Sequence, residues 1–397
     1  MPYLKADYIC PISSAPMRNA VVHANDRGEI IRLLDENAST SIEGSEIAVF
    51  KGIITPGFVN AHCHLELSHL HGKMPEHTGL AGFIKNLQNI RNEDKSIIEE
   101  AALQQQQQMY EAGIVAVGDI CNSTDSLKAK AKGILHYHNF IELFSFNPNK
   151  AAEAMELGEQ LLAEFKNIAA AHCYFTSGLA PHAPYSTSFP LIKMIAESDK
   201  NNSLPQTIHN EENVEECYMY TQGKGAFIDM LNHFGISTAD WKTHPEGSMR
   251  SIAKLMNAAQ NMIWVHNTYS TKEELQAVIQ VLPQSYFCLC PNANLYIENT
   301  LPDMVMMKDF SDRICLGTDS LASNQSLSIL SEMQTIDKAA HIDMNTLLQW
   351  GTLNGAKALG FEKKLGSIEP GKTPGLNLIT GSANVLDANS KVKRLLP

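Results

Sequence analysis

Gly52–Ser68 reads "GIITPGFVNAHCHLELS": two β-rich apolar runs around a Pro-Gly turn, ending in two histidines, a cysteine and a glutamate. Residues i and i+2 of a strand share a face. His62 and His64 therefore project together, and Cys63 points the other way into packing. Glu66 has the parity of the histidines and is expected at the pocket mouth as a substrate-binding carboxylate, provided the extended chain persists. A turn at Leu65 would make it a loop anchor instead. Two histidines at a strand end are a weak signal alone, and the company they keep gives them weight.

Seven further apolar runs follow: "GIVAVGDI", "LHYHNFIELFS", "FTSGLAPHAPYS", "PQTIHN", "MIWVHNTYS", "SYFCLCPNAN" and "RICLGTDS". Helical patterns such as "SIIEEAALQQQQQMYEAG" separate them. Strands alternating with helices predict an α/β chain folded as a (β/α)8 TIM barrel over residues 55–364. An open doubly wound sheet is the runner-up, but no Gly-rich phosphate turn follows any strand. The run Gln104–Gln108 is expected on a solvated helix face. In "GAFIDMLNHFG", Phe227, Met230, Leu231 and Phe234 form a stripe that packs, or that caps a pocket from above.

The ends differ. "AVVHANDRGEIIRLL" reads as a hairpin around Asp26-Arg27-Gly28, and "LGSIEPGKTPGLNLITG" as turn, strand and turn. Residues 1–54 and 365–397 are expected to pair as a small β-sandwich domain built from both termini.

Composition narrows the partners. Lys+Arg is 31 against Asp+Glu 43, a net charge of −12, and no basic run appears. Phosphate backbones are bound by basic patches, so no nucleic-acid partner is expected. No signal peptide and no run of 18 uncharged apolar residues is present, so no membrane is expected. Eight cysteines without a disulfide-scaffold spacing read as buried thiols in a reducing cytoplasm. Cys288 and Cys290 share a strand face with no second pair to complete a zinc site, and read as packing. A homo-oligomer is compatible with the sequence.

The chemistry lies at the carboxyl ends of the strands, where this barrel class carries its active sites. His182 ends strand 4; His209 ends strand 5 with Glu212 just beyond; His266 ends strand 6; Asp319 ends strand 8. Each has a bland alternative: a rigid "PHAP" turn, a solvated acidic run, a core histidine. Together with His62 and His64 they are too many ionisable groups for a satisfied core. A divalent metal would satisfy several at once. Imidazoles with one carboxylate suit zinc, with iron second, better than magnesium or calcium. His62, His64, His209 and Asp319 are the expected ligands. No lysine stands at the end of strand 4 to bridge two ions, so one metal is expected. His136 and His138 precede the end of strand 3 and read as core, while His69, His71 and His77 line the mouth or face water.

These motifs in this order resemble the amidohydrolase superfamily, in its cytosine-deaminase-like and chlorohydrolase-like branch. "ITPGFVNAHCHLELS", "APHAPYS", "HNEEN", "VHNTYS", "LGTDSLASN" and "LGSIEPGK" carry the likeness over nearly the whole chain. The resemblance implies metal ligation by the four residues above and makes Glu212 the proton shuttle. It makes His266 and Asp319 the catalytic partners of a metal-activated water, and His182 a substrate-binding residue. "HLELS" and "LGTDSLASN" look most like deaminases of 6-aminopurine nucleosides, including aminodeoxyfutalosine deaminases. The implied activity is hydrolytic deamination of a small heterocyclic substrate, an adenosine-like or 6-aminodeoxyfutalosine nucleoside. Hydrolysis of a ring amide or aryl halide is the alternative. The chain departs from the branch at Thr373-Pro374 and in a long segment after strand 5.

Overall fold

The computed structural model describes residues 3–35, 46–168, 173–198, 204–381, 386–387 and 389–397. The remainder of the expected terminal segments 1–54 and 365–397 lies outside the described residues. Each of the eight apolar runs forms a strand: β1 (Phe58–Cys63), β2 (Ile114–Cys121), β3 (His136–Leu143), β4 (Phe175–Pro181), β5 (Gln206–Asn210), β6 (Met262–His266), β7 (Ser285–Leu289) and β8 (Ile314–Leu316). They form two parallel four-stranded sheets, in the orders β4-β3-β2-β1 and β5-β6-β7-β8. The chain is thus α/β with parallel sheets. Every residue of β1 and β2 is buried, as parallel strands covered on both faces require.

The two sheets meet edge to edge at both sides. Cys63 and Asp319 form a parallel bridge, and the Thr318 and Asp319 amides donate to the His62 carbonyl at 2.9 and 3.2 Å. The Asn60 side chain reinforces this seam, donating to Thr318 Oγ1 at 2.8 Å and accepting from the Thr318 amide at 3.1 Å. Gly317 makes the approach feasible, because a Cβ there would lie 2.7 Å from His62 Cβ. On the other side, the His209 amide donates to the His182 carbonyl at 2.9 Å.

Beneath the β1 end lies a buried ion pair. Lys130 Nζ stands 2.5 Å from Asp119 Oδ2 and 3.1 Å from Cys121 Sγ, among the rings of Tyr137 and Phe165. Asp119 Oδ1 accepts from the Leu65 amide at 2.8 Å, which fixes the chain just after His64.

Both termini contribute to two further sheets. One runs Lys391–Leu396, Leu376–Thr380, Ile53–Pro56, Tyr8–Ile9, Met17–Arg18; the other runs Ile30–Leu34, Val21–Ala24, Tyr3–Lys5, Ile47–Val49. They share an apolar cluster that includes Leu4, Ile9, Val22, Ile30, Ile54 and Leu378. The expected boundary after residue 54 falls inside the strand Ile53–Pro56, which pairs with Leu376–Thr380. The hairpin at Asp26-Arg27-Gly28 is present, with Gly28 at φ +79°.

The glutamine run is a partial correction. Gln104, Gln107 and Gln108 face solvent, but Gln106 is buried, donating to the Ala129 carbonyl at 2.7 Å and accepting from Tyr137 Oη at 2.9 Å. One helix face meets β-sheet and the other meets water, so identical residues have opposite fates. His138 is core as expected, its Nδ1 2.7 Å from Thr176 Oγ1.

Removing one partner of a buried ion pair leaves the other charge uncompensated. Lys130→Met is therefore expected to cost about 3–5 kcal/mol of stability in urea unfolding, with partial recovery in the Asp119→Asn/Lys130→Met double variant.

Candidate active site

The carboxyl ends of β1, β5, β6 and β8 bring His62, His64, His209, His266 and Asp319 to one point. Ligand atoms of His62, His209, His266 and Asp319 lie within 4.8 Å of one another. His64 Nε2 joins them at 3.3 Å from both Asp319 Oδ1 and His209 Nε2. His62 Nε2 is 3.5 Å from Asp319 Oδ1. Glu212 stands at the rim, its Oε2 3.7 Å from His266 Nε2. Backbone strain accompanies the convergence: His266, Asn267, Asp319 and Glu211 all have φ between +44° and +73°. Non-glycine residues held there cost about 1–3 kcal/mol each and persist only where surroundings enforce them.

Electrostatics sets the protonation. Burial, more than any neighbour, lowers His64, brings His266 down to about 3, and takes His209 well below the ordinary imidazole value. Burial tends to raise Asp319, but the imidazoles of His62, His64 and His266 outweigh it and hold the carboxyl low. The balance favours an ionised Asp319 beside the neutral forms of His64, His209 and His266. Neither ring nitrogen of the fully buried His62 has a hydrogen-bond partner among the described residues. A donor set of buried imidazoles and one carboxylate converging on one point fits a divalent cation.

Glu212 behaves in the opposite way. Burial first, and then the charges of Asp319, Glu298 and Glu216, push its carboxyl well above the usual range, which favours its protonated form. It can donate a proton within the cluster.

Residues outside the expected set support the site. Ser323 donates a short hydrogen bond to Asp319 Oδ2 and orients that carboxylate. His209 Nδ1 donates to the His182 carbonyl at 2.8 Å, which leaves Nε2 bare on the cluster side. His182 is half-buried, with Nδ1 2.5 Å from Ser186 Oγ and its ring 5.7 Å from Tyr185. Glu142, at the end of β3, lies 3.6 Å from His209 Nδ1. Sequence reasoning missed Ser323 and Glu142. Ser323 lies four residues past Asp319 in a quoted motif, and Glu142 is the single charge in the apolar "NFIELF".

The expectation for Glu66 is corrected. β1 ends at Cys63, and Leu65–Leu70 turns into a short 3-10 helix, so strand parity no longer applies. The carboxylate accepts from the Asn122 and Ser123 amides, each at 3.1 Å, and from Ser123 Oγ at 3.0 Å. Glu66 anchors the loop after β2, the alternative that a turn at Leu65 entailed. His69 sits in the same turn, its Nε2 3.0 Å from the Arg91 carbonyl, and His77 lines a separate cavity of about 270 Å³ with Glu76 and Tyr296.

An apolar cluster adjoins His182 through Tyr185. Helix Ala226–His233 contributes buried Phe227, Met230 and Leu231, which cluster with Leu70, Phe83 and Tyr296. Phe227 stacks on Tyr185 at 4.2 Å. Phe234 departs from the expected stripe: it follows the last helical turn and is exposed.

The profile of the amidohydrolase family matches residues 53–396, and the chain belongs to that family. An adenosine deaminase of Helicobacter pylori is 26% identical over 337 residues, 82% of this chain and 78% of that protein. The crystal structure of Helicobacter pylori aminofutalosine deaminase in complex with methylthio-coformycin superposes with a TM-score of 0.84 at 19% identity, covering 100% of both chains. Atrazine chlorohydrolase from Arthrobacter aurescens TC1, complexed with zinc, gives a TM-score of 0.73 at 14% identity, covering 95% of this chain and 86% of the other.

Glu216, fully buried behind the site, accepts from the Glu211 amide at 3.2 Å through Oε1, while Oε2 has no donor among the described residues. Burial, then the Glu211 carboxylate, pushes it up to about 8. A raised acid stabilises the fold fully below its unfolded value of about 4.3, and that contribution is lost as pH rises through the folded value. Wild-type stability is expected to decline toward alkaline pH, and Glu216→Gln, which cannot ionise, should flatten the decline in thermal melts recorded across pH.

Proposed function

We infer that this chain is a metal-dependent aminohydrolase that deaminates the aminated purine-type ring of an adenosine-like nucleoside. The observation that carries the reading is a buried carboxyl, Glu212, 3.7 Å from His266 Nε2 and beside a nitrogen-rich cation site, with its proton affinity raised by burial. Hydrolysis at an aromatic carbon bearing an amino group requires the adjacent ring nitrogen to gain a proton, and Glu212 can supply it. The deaminase activities named for the Helicobacter pylori relatives support the same chemistry. The chlorohydrolase neighbour keeps aryl-halide hydrolysis as the second reading, supported by fold alone.

His62, His64, His209 and Asp319 would hold one divalent ion, zinc ahead of iron on the donor set. When bound, such an ion lowers the pKa of a water to near 7 and polarises the centre under attack. Asp319, held anionic by its imidazole neighbours, accepts a proton from the attacking water. His266 orients that water through Nε2. Glu212 protonates the ring nitrogen, and its carboxylate then relays a proton to the departing amine. Overall, the amino-substituted ring and water become the keto ring and ammonia. His182 is the proposed contact to bound substrate, and the Phe227–Tyr185 cluster beside it excludes bulk water.

The two parallel sheets are read as one closed (β/α)8 barrel over residues 55–364, supported by the β1–β8 and β4–β5 edge contacts and by the superposed deaminase. The terminal segments 1–54 and 365–397 are read as a separate β-sandwich domain, supported by their mixed sheets. All eight cysteines are free thiols, which supports a reducing, cytoplasmic setting, and no described helix is long and apolar enough to cross a membrane.

A screen of aminated purines and nucleosides against the metal-loaded protein, followed by ammonia release, tests the reading; release from amides or aryl halides alone would defeat it. Glu212→Gln is expected to lower kcat roughly 1000-fold, within the range for general acid–base catalysis, with metal content unchanged. Wild-type activity should fall as pH rises through the raised Glu212 value, because the acid form is then lost.

A further inference from the structure

The cluster leaves one buried carboxylate oxygen without a role. Glu142 closes β3 and is almost wholly shielded from solvent. Asn122 Nδ2 donates to its Oε2 at 3.0 Å, while Oε1 has no hydrogen-bond donor among the described residues. His209 Nδ1 is near, at 3.6 Å, but its proton already goes to the His182 carbonyl at 2.8 Å. Nδ1 carries at most one proton, so nothing remains for Glu142. Buried acceptors are nearly always satisfied, and one left open in a binding site calls for a donor on the ligand.

Position decides which donor. His209 directs Nε2 toward His64 at 3.3 Å and Nδ1 toward Glu142. The reacting carbon and its amino group belong on the Nε2 side, with Glu212, His266 and Asp319. Glu142 lies across the ring, where its carboxylate and the ring nitrogens of His182 and His209 come within 4.8 Å of one another. A second metal there is disfavoured, because His209 Nδ1 is protonated and only two ligands would remain. The donors of an adenosine-like substrate that are left are its sugar hydroxyls.

We propose that Glu142 is the acceptor for a 2′ or 3′ hydroxyl of the nucleoside's ribose, the pair that does not depend on the 5′ substituent, held in place by Asn122. Glu66 then acts on substrate at one remove, because its carboxylate holds the Asn122 and Ser123 amides and so positions the residue that presents Glu142. The proposal rests on the deaminase reading for the identity of the ligand.

The test uses metal-loaded wild type, Glu142→Ala and Glu142→Gln with adenosine and 2′,3′-dideoxyadenosine, recording both ammonia release and calorimetric binding. Loss of a charge-assisted hydrogen bond predicts that Glu142→Ala lowers kcat/KM for adenosine roughly 10- to 100-fold, mainly through KM. The dideoxy compound, which lacks the 2′ and 3′ hydroxyls, should change by less than about threefold, within the range of indirect effects. Glu142→Gln, whose amide can still pair with a hydroxyl, should fall between. Equal losses on both nucleosides, loss of bound metal, or no loss at all would overturn the proposal. If wild type releases no ammonia but binds adenosine in a Glu142- and hydroxyl-dependent way, the deaminase reading fails and the hydroxyl site stands. Failure to bind either nucleoside overturns both.

Discussion

The constraint on which the rest of the structure depends is the burial of Asp319 among four histidines, His62, His64, His209 and His266. Nitrogen and oxygen atoms crowded at 3.3–3.5 Å need a proton or a cation among them. A protein that builds such a centre must hold it against its own electrostatics. Here the holding is done by backbone: Asp319 and His266 are locked in left-handed conformations, and the β1–β8 seam joins the Asp319 amide to the His62 carbonyl.

Support comes from layers of uncharged and paired polar groups. Asn60 clamps Thr318, Ser323 orients Asp319, and the His182 carbonyl selects the His209 tautomer. Beneath them, the Lys130–Asp119 pair delivers a carboxylate oxygen to the Leu65 amide. These contacts explain why a pair of small hydrogen-bonding residues, Asn60 and Thr318, flanks the ligands in "NAH" and "GTDS". The site's acidity is divided by the same means. The imidazole neighbours of Asp319 favour its ionised form, whereas burial near other carboxylates favours the protonated form of Glu212. Two carboxyl groups with opposite proton affinities beside one cation site are what a proton-shuttling hydrolase requires.

Much of this was legible in the chain. Eight apolar runs separated by helical patterns announced the strands, because parallel strands buried on both faces need nearly continuous hydrophobic sequence. Polar residues at the ends of those runs stood out for the same reason, and His62, His64, His209, His266 and Asp319 do converge. Glu142 was hidden because a single charge late in an apolar run resembles any strand terminus. Gln106 was hidden because a homopolymeric run carries no periodicity from which to choose a face.

Glu66 shows where sequence reasoning stops. Period-two alternation placed it beside the histidines, but alternation holds only while the backbone stays extended. The chain turns at Leu65, whose amide is captured by Asp119, a residue 54 positions away. By itself, the sequence determined the parallel α/β organisation, the residues able to meet at the strand ends, and the family. Only the tertiary structure decided which oxygens and nitrogens face one another, which carboxyl is ionised, and which side of His209 each neighbour occupies. Those properties depend on distances and burial between residues far apart in the chain, and local periodicity carries no record of them.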